Sequence, residues 1–192
     1  MLNILLLGPQ GAGKGTQAQR VSDAYGIPHI ATGDILRRAM ADGTELGQKV
    51  KPIYDSGHLV PDDLMIGLIR DRLAEDDTDG GFVLDGFPRT LAQAEALDQM
   101  LREIAKELSV VFVLQLPESV ATDRLTKRAE IEGRVDDTPE GIAKRLELYR
   151  RETEPLIEWY RARSNVVAVH AERAPNEVFG EIQEALEQAA VV

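Results

Sequence analysis

Short apolar runs alternate with helical patterns of apolar and polar residues along most of this chain. The runs are continuously hydrophobic, which is typical of strands that are covered on both faces. The helical patterns between them favour parallel pairing through crossover connections. We therefore predict an α/β fold of three layers, α/β/α, around a five-stranded parallel sheet with ligands at the carboxyl ends of the strands. The predicted strands are 2–7, 28–31, 82–84, 110–116 and 166–170.

Several helices are indicated by their ends as well as by their apolar stripes. Thr138 and Pro139 supply a cap and a first residue for one helix, and Pro155 should kink or restart it. Two stretches do not fit strict alternation of strand and helix. Residues 32–61 have the pattern of short helices without a strand, and 129–139 form a brief polar connection. We interpret both as insertions at the mouth of the sheet within a single domain.

The turn after the first strand has the pattern of a phosphate-binding loop, GPQGAGKGT at positions 8–16. Its glycines allow backbone N–H groups to surround an anion, and the N-terminus of the next helix adds partial positive charge. Lys14 lies in the first turn of that helix, where the helix dipole disfavours a cation unless an anion binds. A glycine-rich turn with a solvated lysine is the alternative. Because Gly15 follows the lysine, a hydroxyl for magnesium would have to come from Thr16.

The ends of the second and third predicted strands also carry polar residues. In TGDILR, at 32–37, Thr32 is expected to cap a helix and Arg37 lies one turn further on. For this segment alone, a plain cap with a solvated arginine is the simpler interpretation. Asp85 ends the third strand, where it can hold magnesium directly or through water, and Arg89 follows on a loop stiffened by Pro88. An ordinary turn is the alternative there.

Four arginines follow in the second half of the chain. Arg124 and Arg128 are four residues apart and share a helix face, Arg134 lies on the polar connection, and Arg145 flanks the apolar stripe of the next helix. Alone they could form a solvated charged face. Beside a phosphate loop they match what phosphoryl transfer requires, because that reaction is catalysed mainly by positioning and charge neutralisation.

Composition narrows the function classes. The 192 residues carry 22 basic and 33 acidic side chains, for a net charge of −11, which argues against binding nucleic acid or an anionic membrane. Arginine supplies 16 of the 22 basic residues; its planar fork suits phosphate, although codon bias explains the ratio equally well. The absence of cysteine excludes disulfides and cysteine zinc sites. No apolar run approaches a membrane span and no signal peptide is evident, so we expect a cytoplasmic protein.

Together these motifs resemble the adenylate kinase family of nucleoside monophosphate kinases, in its short-lid form, over essentially the whole chain. The matching segments are 8–16, 32–37, 57–60, 85–89 with Gln93, and 133–137. A glycine after the loop lysine is itself a habit of this family. The resemblance implies a core of 1–31, 62–128 and 139–192, an AMP-binding insertion at 32–61 and a lid at 129–138. A short lid without cysteine leaves no place for the structural zinc of some long-lid members.

The resemblance also implies two nucleotide sites that meet head to head. The implied ATP site consists of Gly11, Ala12, Gly13, Lys14, Gly15, Thr16, Arg124, Arg128 and the loop around Arg173. The implied AMP site consists of Thr32, Arg37, His58, Leu59, Val60, Gly86, Phe87, Pro88, Arg89, Gln93, Arg134 and Arg145. Catalytic roles are implied for Lys14, Arg89, Arg128, Arg134 and Arg145. Asp85 would order the water shell of Mg²⁺.

The implied reaction is reversible transfer of the terminal phosphoryl group of Mg-ATP to AMP, which gives two ADP and balances adenine nucleotides. No general base is needed, because the AMP phosphate, with a second pKa of about 6, is already ionised at neutral pH. The lid and the insertion should close over the substrates and keep water out. ATP, AMP and ADP are the expected partners, and we expect a monomer.

Three other functions are alternatives to this prediction. A UMP/CMP kinase has a similar size and lid, but relatives that take pyrimidines usually have alanine at the position of Thr32 and asparagine near that of Gln93. A guanine-specific switch would need an Asn-Lys-x-Asp base reader, and no asparagine here precedes a lysine. A catalytically silent homologue is the third alternative, although every expected arginine is present.

Overall fold

A five-stranded parallel sheet with strand order β2-β3-β1-β4-β5 forms the centre of the protein. The computed structural model describes residues 1–132 and 138–190. The strands are β1 (Leu2–Leu7), β2 (His29–Ala31), β3 (Gly81–Asp85), β4 (Val110–Gln115) and β5 (Val166–His170). The predicted α/β class and all five predicted strands are confirmed, with ends that differ by one residue at β2, β3 and β4.

Helices connect the strands and cover both faces of the sheet. They are α1 (Lys14–Tyr25), α2 (Thr32–Ala41), α3 (Glu45–Asp55), α4 (Asp62–Leu73), α5 (Leu91–Glu103), α6 (Glu118–Glu132), α7 (Pro139–Leu148), α8 (Leu156–Arg161) and α9 (Pro175–Ala190). A 3-10 turn covers Asp76–Thr78, and a π turn, Tyr149–Thr153, follows α7. The predicted insertion, 32–61, contains α2 and α3 without a strand, as its pattern indicated.

The helix ends confirm some predictions and correct others. The Thr138 hydroxyl accepts a hydrogen bond from the Gly141 N–H at 3.1 Å, as expected of a cap, and a new helix begins just after Pro155. Thr32, however, does not cap α2, because the helix already begins at that residue. The polar connection predicted from Ala129 also starts too early, since α6 continues to Glu132.

The core consists of apolar layers on the two faces of the sheet. Alternate strand residues belong to different layers: Leu5 and Leu84 pack with residues of α4 and α5, whereas Leu6 and Val83 pack with residues of α1 and α9. Both faces are therefore buried, which explains why the strands are continuously apolar. The loops that follow β1, β2 and β3 face one opening. In residues 1–132 and 138–190, no helix is long and apolar enough to cross a membrane.

Candidate active site

The carboxyl ends of β1, β2 and β3 open into a cleft of about 470 Å³. Its walls come from the phosphate-binding loop, the insertion, the loop after β3, and the inner faces of α6 and α7. The predicted site residues that line it are Gly11, Gly13, Lys14, Gly15, Thr16, Thr32, Arg37, His58, Leu59, Val60, Asp85, Gly86, Pro88, Arg89, Gln93, Arg124, Arg128 and Arg145.

The phosphate-binding loop packs tightly against α6. Gly11 has a φ of +85°, and a Cβ at this position would lie 2.9 Å from the carbonyl oxygen of Ala121. Only glycine avoids both the backbone strain and that contact. Arg124 ties the same loop to the segment after β5, because its guanidinium donates to the carbonyls of Gly11 at 3.3 Å, Ala171 at 2.8 Å and Glu172 at 3.1 Å.

Lys14 turns back over its own loop. Its ammonium group donates to the carbonyl oxygens of Gly8, at 2.8 Å, and Pro9, at 2.9 Å. Burial lowers the pKa of Lys14 to about 8; Asp85 opposes this shift, while Arg89 and Arg128 add to it. A lysine whose charged form is disfavoured by burial and by neighbouring cations is poised to gain from an incoming anion.

Arg89 and Gly86 lie directly beyond the end of β3. The Arg89 Nε donates to the Gly86 carbonyl at 2.8 Å, which turns the guanidinium into the cleft. Burial lowers the pKa of Arg89, and the charges of Arg145 and Arg37 lower it further, while Asp85 opposes the shift. Three cationic side chains are therefore held near one another, an arrangement that an anion would stabilise.

A hydrogen-bonded network holds Gln93 in place. Its side-chain oxygen accepts from the Arg89 backbone N–H at 2.8 Å, and its side-chain nitrogen donates to Asp62 at 2.7 Å. The Thr90 hydroxyl donates to the same Asp62 oxygen at 3.0 Å. Because the carboxylate only accepts and the backbone N–H only donates, these two partners determine which way the amide faces. The sequence analysis missed Asp62, whose sole signal is an acidic residue in the first turn of a helix.

Tyr54, on α3, is a second cleft residue that sequence analysis missed. Its hydroxyl oxygen accepts a hydrogen bond from Arg37 Nη1 at 2.7 Å, and Arg37 Nη2 pairs with Asp34. Thr32, at the start of α2, donates its hydroxyl to the Asp85 carbonyl at 3.3 Å, so it joins the ends of β2 and β3. A tyrosine within an amphipathic helix carries no sequence signal that separates a binding role from packing.

The geometry is that of a cationic cleft beside a phosphate-binding loop. Comparison with known proteins shows which family has this sequence pattern. A family model described as adenylate kinase matches residues 6–165 of this chain. The chain belongs to the adenylate kinase family. The resemblance that the motifs indicated is thereby confirmed.

Several adenylate kinases are similar to this chain over nearly its whole length. One from Cyanothece sp. strain PCC 7425 is 48% identical over 188 residues, which covers 98% of this chain and 96% of the relative. One from Thermus thermophilus is 49% identical over 183 residues, covering 95% of this chain and 96% of the relative. One from Leifsonia xyli subsp. xyli is 49% identical over 189 residues, which covers 98% of this chain and 95% of the relative.

Asp85 ends β3 as a carboxylate at the cleft. Burial raises its pKa, but the His29 imidazole, whose Nε2 lies 3.6 Å from Asp85 Oδ2, and the charge of Lys14 outweigh this and hold the pKa below its ordinary value, so Asp85 is ionised at neutral pH. The Thr16 hydroxyl lines the same cleft. Oxygen ligands of these kinds suit Mg²⁺. Across the described residues, no group of three or more His, Cys, Asp or Glu side chains could hold a metal by itself.

Among the described residues, three predicted site residues do not line the cleft. Ala12 and Phe87 are buried in the core, so contact with a nucleotide would fall to their backbone. The Arg173 guanidinium pairs with Glu181. Any contact of this loop with the adenine of ATP would therefore have to come from its backbone and not from the guanidinium. Arg134, together with half of the predicted lid (133–137), lies outside the described residues.

Proposed function

We propose that this protein transfers the terminal phosphoryl group of Mg-bound ATP to AMP, reversibly, giving two ADP. The observation that carries the proposal is the gathering of cationic groups in one cleft of a protein whose net charge is −11. These groups come from distant parts of the chain: Lys14, Arg37, Arg89, Arg128 and Arg145. Such convergence suits two phosphorylated substrates that meet end to end, and membership of the adenylate kinase family supports the same reaction.

The donor binds on the phosphate-loop side. The backbone N–H groups from Gly11 to Thr16 hold the phosphates, and Lys14 leaves its contacts with the loop carbonyls to follow the transferred group. Arg124 holds the loop through the Gly11 carbonyl and reaches the segment after β5, where the adenine of ATP would rest. Arg128, four residues further along α6, contacts the donor phosphates.

The acceptor binds between the insertion and the loop after β3. Arg37 and Arg89 hold the phosphate of AMP, and Gln93 hydrogen-bonds the edge of the adenine ring. Arg145 and Arg134 close over the reacting phosphates, where positioning and charge neutralisation lower the barrier. Because the phosphate monoester is a dianion at neutral pH, the cleft needs no general base.

The residues at the carboxyl end of β3 and in the phosphate loop fit Mg²⁺, and Asp85, with Thr16, would hold it through oxygen atoms. When bound, the ion neutralises charge on the phosphates during transfer. Asp85 remains ionised beside Lys14, which keeps a hard carboxylate available. The lid (129–138) and the insertion (32–61) close over both nucleotides to exclude water.

A coupled assay for ADP formation tests the proposal. Arg89→Ala should lower kcat by roughly 10³-fold or more, the scale of a removed arginine finger. Arg161→Ala is the matched control, because Arg161 is exposed on α8 and pairs with Glu158. The unmodified protein should prefer AMP to CMP and UMP, and Thr32→Ala should weaken that preference. Equal turnover of CMP and AMP would point to a pyrimidine nucleotide kinase, and full activity of Arg89→Ala would contradict the role of Arg89.

A monomeric state and a cytoplasmic location belong to the same proposal. Light scattering on the purified protein checks the first, since a monomer of 21.2 kDa is expected. Fractionation of the source cells checks the second.

A further inference from the structure

The acceptor half of the cleft contains a hydroxyl group that is hydrogen-bonded to a cationic side chain. Tyr54 is half-buried on α3, and its oxygen accepts the hydrogen bond from Arg37 Nη1 at 2.7 Å. Arg89 also lies close enough for the two groups to interact electrostatically. The phenol is therefore bonded to one of the two guanidinium groups assigned to the acceptor phosphate and interacts electrostatically with the other.

The hydrogen of this hydroxyl group is the informative feature. A phenol that accepts one hydrogen bond still has a proton to donate, and a guanidinium group cannot accept it. Within residues 1–132 and 138–190, no acceptor receives a hydrogen bond from Tyr54. A half-buried donor beside cationic groups would be satisfied best by an anionic oxygen.

We propose that the Tyr54 hydroxyl donates a hydrogen bond to the phosphate of the acceptor nucleoside monophosphate while it accepts one from Arg37. Tyr54 thereby binds substrate directly and also holds Arg37 in the orientation that binds the same phosphate. Since α3 belongs to the insertion, the contact joins this segment to the acceptor and not to the donor. This inference rests on the proposed function, because it assumes that Arg37 and Arg89 hold the acceptor.

The Tyr54→Phe variant tests the inference, since it removes the oxygen and keeps the ring. We expect the KM for AMP to rise roughly tenfold or more, the scale of a lost hydrogen bond to a charged group, with little change in the KM for ATP. Inhibition by adenosine, which has no phosphate, should be unchanged. Tyr25→Phe is the matched control, because it deletes the same oxygen from an exposed tyrosine on α1. An unaltered KM for AMP in Tyr54→Phe would overturn the inference.

A double-variant cycle separates direct contact from orientation of Arg37. If Tyr54 contacts the phosphate itself, adding Tyr54→Phe to Arg37→Ala should weaken AMP binding several-fold further. If the double variant binds AMP as Arg37→Ala does, Tyr54 acts only through Arg37 and the proposed phosphate contact is wrong. Activity of the unmodified protein toward AMP is measured in the same series, so failure of the proposed function would be recognised separately.

Discussion

Binding of Mg-ATP should be accompanied by proton uptake at Lys14. In the free protein, burial lowers the pKa of this lysine to about 8. Phosphate oxygens replace the Gly8 and Pro9 carbonyls as its partners, which favours the charged form and should return the pKa to about 10 or above. From these values, uptake should be about 0.1 proton per ATP at pH 7, about 0.5 at pH 8 and about 0.8 at pH 9. The γ-phosphate is already ionised at these pH values and adds little.

Isothermal titration calorimetry measures this uptake directly. Mg-ATP is titrated without AMP in buffers of different ionisation enthalpy, and the slope of the observed enthalpy against that quantity gives the number of protons. Lys14→Arg is the control, because a guanidinium stays charged throughout this range and should show no uptake. The same small uptake at pH 7 and at pH 9 would show that Lys14 remains charged in the free protein, and the reasoning from burial would be refuted.

The same pKa shift has a consequence for stability. The folded state binds the Lys14 proton less tightly than the unfolded state, so between about pH 8 and about pH 10.5 the unfolded state holds more protons. The free energy of unfolding should therefore rise with pH through this window. Below pH 8, the buried charge of Lys14 lowers the free energy of unfolding by at most about 3 kcal/mol, and by less where solvent screens the charge. Lys14→Met should remove this cost, so urea unfolding at pH 7 should show a more stable but inactive protein.

Two further predictions concern the acceptor pocket. Gly86 has a φ of +85° and a Cβ there would lie 2.5 Å from the Thr32 hydroxyl, so Gly86→Ala should lower the free energy of unfolding in urea by about 2 kcal/mol and raise the KM for AMP. Gly26→Ala is the control, because Gly26 has a φ of +66° and open space around it, so the variant should lose only the stability that comes from backbone strain. Equal losses of stability in the two variants would show that the contact between the Cβ at position 86 and Thr32 does not matter. Asp62→Asn should let the Gln93 amide reverse and so reduce the kcat/KM preference for AMP over IMP roughly tenfold; an unchanged preference would show that Asp62 does not orient Gln93.

Features that depend on neighbouring residues were predictable from the sequence. The phosphate-binding loop, the five apolar strands, the cap at Thr138 and the restart at Pro155 all follow from turn chemistry and from periodicity over a few residues. Where local signals compete, the prediction was wrong. Threonine is a common helix cap and Thr32 was predicted to be one, but its hydroxyl donates to the carbonyl of Asp85 at the end of the neighbouring strand. That bond joins residues 53 positions apart along the chain, beyond the reach of local signals.

The amino-acid sequence by itself determined the α/β class, the phosphate loop and the family, because each depends on residue types at short, fixed spacings. Only the tertiary structure decided which side chains act together. Arg124 reaches Gly11 across 113 positions, Gln93 reaches Asp62 across 31, and Tyr54 meets Arg37 across 17. The shift in the pKa of Lys14 likewise arises from groups brought together by packing. Such contacts depend on how the layers of helices pack on the sheet, and no local sequence pattern specifies them.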